Sequence, residues 1–302
     1  MLEFDTRKKA KDLAEFITPL KLREFIASKV KGDNLNILDI SVGSGQLLFC
    51  LKDRINHLIG YDVNTEALNT AKLNFKEQIT IYNEDYILAS DIKSDICISN
   101  YPFSLKPTKE QKEAILSHSF LKTFFVGKKD VTGLLDFIFI LKSFNNVKEA
   151  FYLCFPGIAY RKNELNFRKY LIENNYIACY GMLNNCKFTH TSIPILYLHL
   201  KKEPTLNPKR FLLDFDTKEY LEDKADFSDF TFNNLRKEQE KEIIDPLALE
   251  IQIRALEEKH IKDSFKRACF IWGLDEDIRN SNIIHPNIWI DNIFKNITKD
   301  FK

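Results

Sequence analysis

Between Asn36 and about Leu200, short apolar runs alternate with longer stretches of helix-forming composition. Seven runs read as strands: Asn36 to Ile40, His57 to Asp62, Ile79 to Asn83, Asp95 to Ser99, Ala150 to Phe155, Tyr176 to Met182 and Ile193 to Leu200. Gln46 to Ile55, Thr65 to Lys76, Leu134 to Phe144 and Asn163 to Glu173 read as helices, and Asn64 is placed to cap the second. This alternation predicts an α/β fold, a seven-stranded, mostly parallel sheet with helices on both faces. The last two runs are joined by about ten residues that include Asn184, Asn185 and Thr189. That is too short for a crossover helix, so the last strand is expected to be antiparallel.

Beyond Leu200 the pattern changes. Lys201, Lys202, Pro204 and Pro208 mark a linker, followed by a polar, acidic segment with little strand pattern. A boundary there separates a domain over 1–204 from a small, mainly helical module over 205–302, in keeping with the 302-residue length. Asp245 followed by Pro246 resembles a helix cap and first-turn proline, opening a stretch towards Gly273. Its start, LALEIQI, also alternates with period two and leaves a strand open. Trp272 and Trp289 are candidates for packing this module on the first domain.

A content of 44% hydrophobic and 29% charged residues excludes a disordered chain. The longest apolar stretch, near Leu134 to Leu141, is interrupted by Asp136 and too short to span a bilayer, and the start, with Arg7, Lys8, Lys9 and Lys11, lacks a signal-peptide core. A cytoplasmic protein without a membrane partner is expected. Cys50, Cys97, Cys154, Cys179, Cys186 and Cys269 show neither CxxC nor Cys/His ligand spacing, so no metal site or disulfide framework is expected. The net charge is only +1, but residues 1–204 hold 28 Lys+Arg against 23 Asp+Glu, and the remainder 16 against 20. Phosphate contacts are therefore expected on the first domain. The acidic remainder reads as a docking or packing element.

The segment ILDISVGSGQLL sets Asp39 at the end of the first strand and a turn, Gly43, Ser44 and Gly45, before a helix. A dinucleotide fingerprint needs a third glycine where Leu48 stands, and no Walker lysine follows, so a ligand without a phosphate chain fits better. Asp62 ends the second strand, where a carboxylate can accept from ribose hydroxyls. The third ends in Asn83, Glu84 and Asp85, able to receive an adenine amino group. Either acid alone would read as a helix cap or a solvated loop residue; the combination points to a nucleoside-like ligand. The fourth strand ends in Asn100, Tyr101, Pro102 and Phe103. An exocyclic adenine amine is a poor nucleophile because its lone pair is delocalised into the ring. Two acceptors, the Asn100 side-chain oxygen and the Tyr101 carbonyl, could hold its protons and localise that pair. Pro102 restricts the backbone at Tyr101, and Phe103 offers a ring for stacking a base. The following Lys106, Lys109, Lys112, Lys122, Lys128 and Lys129 read equally as a cleft lining or a solvated helical face.

These residues resemble the S-adenosylmethionine-dependent N6-adenine DNA methyltransferases, most of all the modification subunits of type I restriction systems, over roughly residues 12 to 215. The family's Phe-x-Thr-Pro element matches EFITP, its glycine motif DISVGSG, and its Asn-Pro-Pro-aromatic motif NYPF. LLDFIFI, FPGIAYR, the helix with Asn166, Arg168 and Leu171, and TSIPILYL match in pattern and order. The resemblance implies a Rossmann-like methyltransferase sheet and a cofactor site of Phe16, Thr18, Pro19, Asp39, Ser41, Gly43, Ser44, Gly45, Asp62, Val63, Asp85, Tyr86 and Asn100. It also implies catalysis by Asn100, Tyr101, Pro102 and Phe103 on an adenine flipped out of DNA, with S-adenosylhomocysteine as product. A separate specificity subunit is the implied partner. Tyr101 in place of the first proline implies weaker backbone pre-organisation, and a counterpart of the helical domain that usually precedes the catalytic domain in that family is not expected. The same fold acting on RNA adenine or protein glutamine, and a non-catalytic nucleic-acid-binding subunit, are the alternatives.

Overall fold

The structure, a computed structural model, describes residues 17–127, 130–186 and 194–224. Phe16, Lys128, Lys129, the start of TSIPILYL, the expected Asp245 cap, Trp272 and Trp289 lie outside the described residues. Nine strands form one sheet: β1 Leu35–Asp39, β2 Ile55–Tyr61, β3 Ile79–Tyr82, β4 Ile96–Ser99, β5 Glu149–Cys154, β6 Ile177–Asn184, β7 Ile195–Lys201, β8 Lys209–Asp214 and β9 Tyr220–Lys224. Their order is β3-β2-β1-β4-β5-β7-β6-β8-β9. The pairs from β3 to β5 and the pair β6–β8 are parallel, while β7 runs antiparallel to β5 and β6, as its short connection requires.

The five α-helices among the described residues are α1 Leu20–Lys29, α2 Thr65–Phe75, α3 Lys109–Ser117, α4 Asp136–Asn145 and α5 Leu165–Glu173. Asn64 caps α2 as expected, its side chain accepting from the N–H groups of Glu66 and Ala67. The segment Gln46–Arg54 is helical, but of the 3-10 type. Its last residue, Arg54, donates to the carbonyls of Ala27, Val30 and Gly32, tying it to the end of α1. Period-two alternation then divides the strand residues between two faces. Ile37, Ile96, Ile98, Phe151 and Leu153 share a core with Leu22 and Ile26 of α1 and Leu68 and Phe75 of α2. Tyr152, pointing the other way, meets Ser143 of α4 at 2.7 Å. Every residue of α4 from Asp136 to Phe144 is buried, which fits its nearly all-round apolar sequence.

The sheet extends two strands beyond the seven expected, into the segment after Pro208. β8 lies parallel to β6 and β9 antiparallel to β8. The β8–β9 turn is closed by the Asp214 carboxylate, which accepts from the N–H groups of Asp216 and Thr217, and places Lys218 at φ 61. Among the described residues no helix is long and apolar enough to cross a membrane. No group of metal-ligating side chains occurs among them.

The added strands depend on Gly181 of β6, where a Cβ would run into the ring of Phe211 on β8. Gly181→Val is expected to destabilise the protein by about 1–3 kcal/mol through overpacking, read from denaturant unfolding. An unchanged midpoint would show that β8 does not sit against β6.

Candidate active site

Strand order reverses between β1 and β4, and in open α/β sheets ligands bind outside the carboxyl ends of strands at such a point. β1 ends in Asp39 and β4 in Ser99. The buried Asp39 carboxylate bridges the two strand ends, accepting from Ser99 Oγ at 2.7 Å and from the Ser41 N–H at 3.1 Å. Burial pushes this carboxyl up to about 7, against the opposing effect of both hydrogen bonds.

The glycine turn sits directly above. Gly43 has φ 52, and a Cβ there would meet nothing within 4 Å, so its backbone borders open space. Its N–H donates to Asp62 Oδ2 at 2.8 Å, while Asp62 Oδ1 accepts from the N–H of Asn64 at 2.9 Å. Asp62 thus ties the turn to the cap of α2. An ionised carboxylate offers about four acceptor positions, so capacity for ribose hydroxyls remains. Gly45 has φ 78 and lies where a Cβ would strike the Phe75 ring; it is required for the turn and for α2 packing. The Ser44 carbonyl accepts from Asn74 Nδ2 at 2.9 Å. Val63, directly after Asp62, is 59% exposed and leaves an apolar face at this edge.

Asp85 follows β3. Its Oδ1 accepts from the Ile87 N–H at 2.8 Å and its Oδ2 from Gln111 Nε2 at 2.6 Å. Gln111 also completes the capping box of α3 with Thr108. The Tyr86 ring is buried against Tyr61, and its carbonyl accepts from Lys142.

The motif after β4 meets the segment before α1. Asn100 Nδ2 donates to Thr18 Oγ1 at 3.0 Å, and Thr18 is in turn held by Arg23, whose Nε donates to the Thr18 carbonyl. Arg23 also reaches Gln46 Oε1 at 2.8 Å, and Pro19 supplies the carbonyl that opens α1. Asn100 Oδ1 is buried without a hydrogen-bond partner among the described residues. An unpaired buried acceptor costs about 1–3 kcal/mol, so this atom is a place for an incoming donor.

The N-6 DNA methylase family model matches residues 1–245. The chain belongs to this family. It is 25% identical over 245 residues to a type I restriction enzyme MpnII methylase subunit of Mycoplasma pneumoniae, covering 70% of this chain and 44% of that one. The chain therefore spans less than half the length of that relative. Among solved structures it is similar to the type I restriction-modification system methyltransferase subunit of Streptococcus thermophilus, with a TM-score of 0.56 and 25% identity, over 76% of this chain and 54% of that one. A putative class I S-adenosylmethionine-dependent methyltransferase of Listeria monocytogenes shares the fold at a TM-score of 0.52 and 18% identity, over 66% and 65% of the two chains.

Two aromatic residues of the NYPF segment pack within the fold. Tyr101 is 1% exposed, its ring 5.4 Å from Phe139 of α4 and 6.3 Å from Tyr152 of β5. The Tyr101 ring is thus held by packing against α4 and β5. Phe103 is half-buried, edge-on to Tyr101 at 5.9 Å and tilted against Phe155 at 6.5 Å, so its ring is partly engaged within the fold. Pro102 lies half-buried between them. Sequence reasoning missed Ser99, Gln111, Asp136 and Lys142, which hold the site's loops. Only Gln111 carried a readable signal, the Thr108-x-x-Gln111 capping box.

Between its unfolded and folded values, Asp39 binds protons only in the folded state, so its contribution to stability falls as pH rises from about 4 to about 7. Burial raises Asp62, Asp136 and Glu164 in the same direction, so the variant must be compared with wild type. Asp39→Asn is expected to lose less Tm than wild type between about pH 5 and about pH 8. Equal losses in the two proteins would show that Asp39 ionises normally.

Proposed function

We propose that this chain transfers a methyl group from S-adenosylmethionine to the N6 amine of an adenine flipped out of DNA, as the modification component of a type I restriction system working with a separate specificity subunit in the cytoplasm. The observation that carries this reading is Asn100: its amide N–H is engaged by Thr18 while its buried oxygen has no partner among the described residues. Family membership supports the reaction class, and the open backbone at Gly43 supports a small-molecule ligand beside it.

The cofactor, when bound, supplies an electrophilic methyl on a positively charged sulfur. Thr18, Pro19, Asp39, Ser41, Gly43, Ser44, Gly45, Asp62, Val63, Asp85 and the Tyr86 backbone would hold it, with Phe16 completing the set. Asp62 accepts from the ribose hydroxyls and Asp85 from the adenine amino group. On the substrate side, Asn100 Oδ1 and the Tyr101 carbonyl accept the two N6 protons and turn the nitrogen lone pair towards the methyl. Once N6 has taken the methyl and the donor has left as its neutral thioether, the surplus N6 proton would pass from the Asn100 or Tyr101 oxygen to solvent. Orientation and the two acceptors provide the acceleration, without a strong general base.

Asn100→Ala is expected to keep cofactor affinity while lowering methyl transfer by about tenfold or more, measured with labelled donor on unmethylated DNA, RNA and protein in parallel. Near-normal turnover, or label only in RNA or protein, contradicts the reading. Asp62→Ala is expected to weaken calorimetric affinity for S-adenosylmethionine by about tenfold. Unchanged affinity removes Asp62 from the site.

A further inference from the structure

Two loops must be held at a fixed separation in any such site: the turn after β3 that carries Asp85, and the loop after β4 that carries Asn100. One helix grips both. At its start, Asp136 is 0% exposed, and its Oδ2 accepts from the N–H of Ser104 at 3.0 Å. Ser104 directly follows the NYPF motif and holds φ 60, an uncommon conformation for a side-chain-bearing residue. Arg161 closes the arrangement, with its guanidinium 3.9 Å from Asp136 Oδ2 and within 3.3 Å of Ser104 Oγ.

Further along α4, Lys142 is 1% exposed and donates to three backbone carbonyls, Tyr86 at 2.7 Å, Ile87 at 3.0 Å and Ala89 at 2.6 Å, from a position less than two full turns beyond Asp136. Those carbonyls belong to the turn whose Ile87 N–H orients Asp85. An ammonium has three donors, and here all three are spent on one turn. The same ammonium lies 5.0 Å from the Tyr86 ring centre. Asp136 and Lys142 stand six residues apart, about 9 Å along the axis of a helix buried throughout. A close-packed interior resists deformation, so such a helix fixes the spacing of what it grips.

We propose that α4 is a strut that registers the cofactor-adenine turn against the amine-acceptor loop, with Lys142 and Asp136 as its positioning residues. The inference rests on the methyl-transfer reading above and adds residues that touch neither cofactor nor substrate. Lys142 sets the direction of Asp85 towards an exocyclic amine; Asp136 sets the loop that carries Asn100.

The test is calorimetry on the full chain with S-adenosylhomocysteine and S-inosylhomocysteine, which differ at the position Asp85 would contact. Wild type is expected to prefer the adenosyl form by about tenfold, the scale of a hydrogen bond to a charged group. Lys142→Met is expected to lose most of that preference, whereas Asp136→Ala keeps it despite a comparable loss of Tm. A loosened fold would weaken both ligands together and leave the ratio unchanged. Should Lys142→Met fail to fold, Lys142→Arg serves: it keeps the buried charge but cannot aim three donors at the same carbonyls, and the preference is expected to fall there too. Wild-type preference in whichever Lys142 variant folds overturns the strut, as does loss of preference in Asp136→Ala. If wild type binds neither ligand, the methyl-transfer reading itself fails, a result distinct from both.

Discussion

Reversal of strand order between β1 and β4 opens a gap at the carboxyl edge of the sheet, and the Asp39 carboxylate closes its floor. Neither strand can splay from the other without breaking the bond to Ser99, and a carboxylate this deeply buried has no solvent to turn to instead. The glycine turn begins two residues beyond the Ser41 N–H that the same carboxylate accepts. Asn100 begins one residue beyond Ser99. Both halves of the candidate site are thus referenced to one buried group, and its raised affinity for protons is the electrostatic cost of putting it there.

Above this floor, each loop is held by polar contacts from a different element, and these contacts interlock. Asp62 joins the glycine turn to α2, Thr18 joins the segment before α1 to Asn100, and Gln111 joins α3 to Asp85. Removing one partner of such a contact leaves a polar group unsatisfied and typically costs about 1–3 kcal/mol, while the intact contact contributes only about 1 kcal/mol net. Their contribution is therefore conformational definition more than stability. At this sheet edge side-chain hydrogen bonds from neighbouring elements set the position of each loop.

This division explains what the sequence made legible. Strand ends fall where apolar runs stop, so Asp39, Asp62, Asp85 and Asn100 could be placed at one edge from the run boundaries alone. Asn64 declared itself as a cap because capping is local. Lys142 and Asp136 did not, because their partners lie 53 to 56 and 32 residues away and a charged residue in an apolar helix shows nothing of what it faces. β8 and β9 were hidden for another reason. Their hairpin bends at Lys218 with positive φ, where a glycine or asparagine is the usual marker, and β9 ends in three successive charged residues, Glu222, Asp223 and Lys224, without a period-two apolar pattern. The half-buried setting of Phe103 depends on Phe155, more than fifty residues on, and no local pattern carries that.

Tyr101 links the loop after β4 to the core beneath it. A proline at this position would fix the backbone covalently, independent of the surrounding structure. Tyr101 instead anchors this position by sinking its ring between Phe139 of α4 and Tyr152 of β5. The geometry of the acceptor loop is therefore a property of the packed core and not of the loop. Because α4 supplies both the Phe139 surface under Tyr101 and the Asp136 contact to Ser104, the loop is gripped on each side of Pro102 by the same helix. A rigid loop is reached in this chain through tertiary packing, which ties the precision of the site to the integrity of the core beneath it.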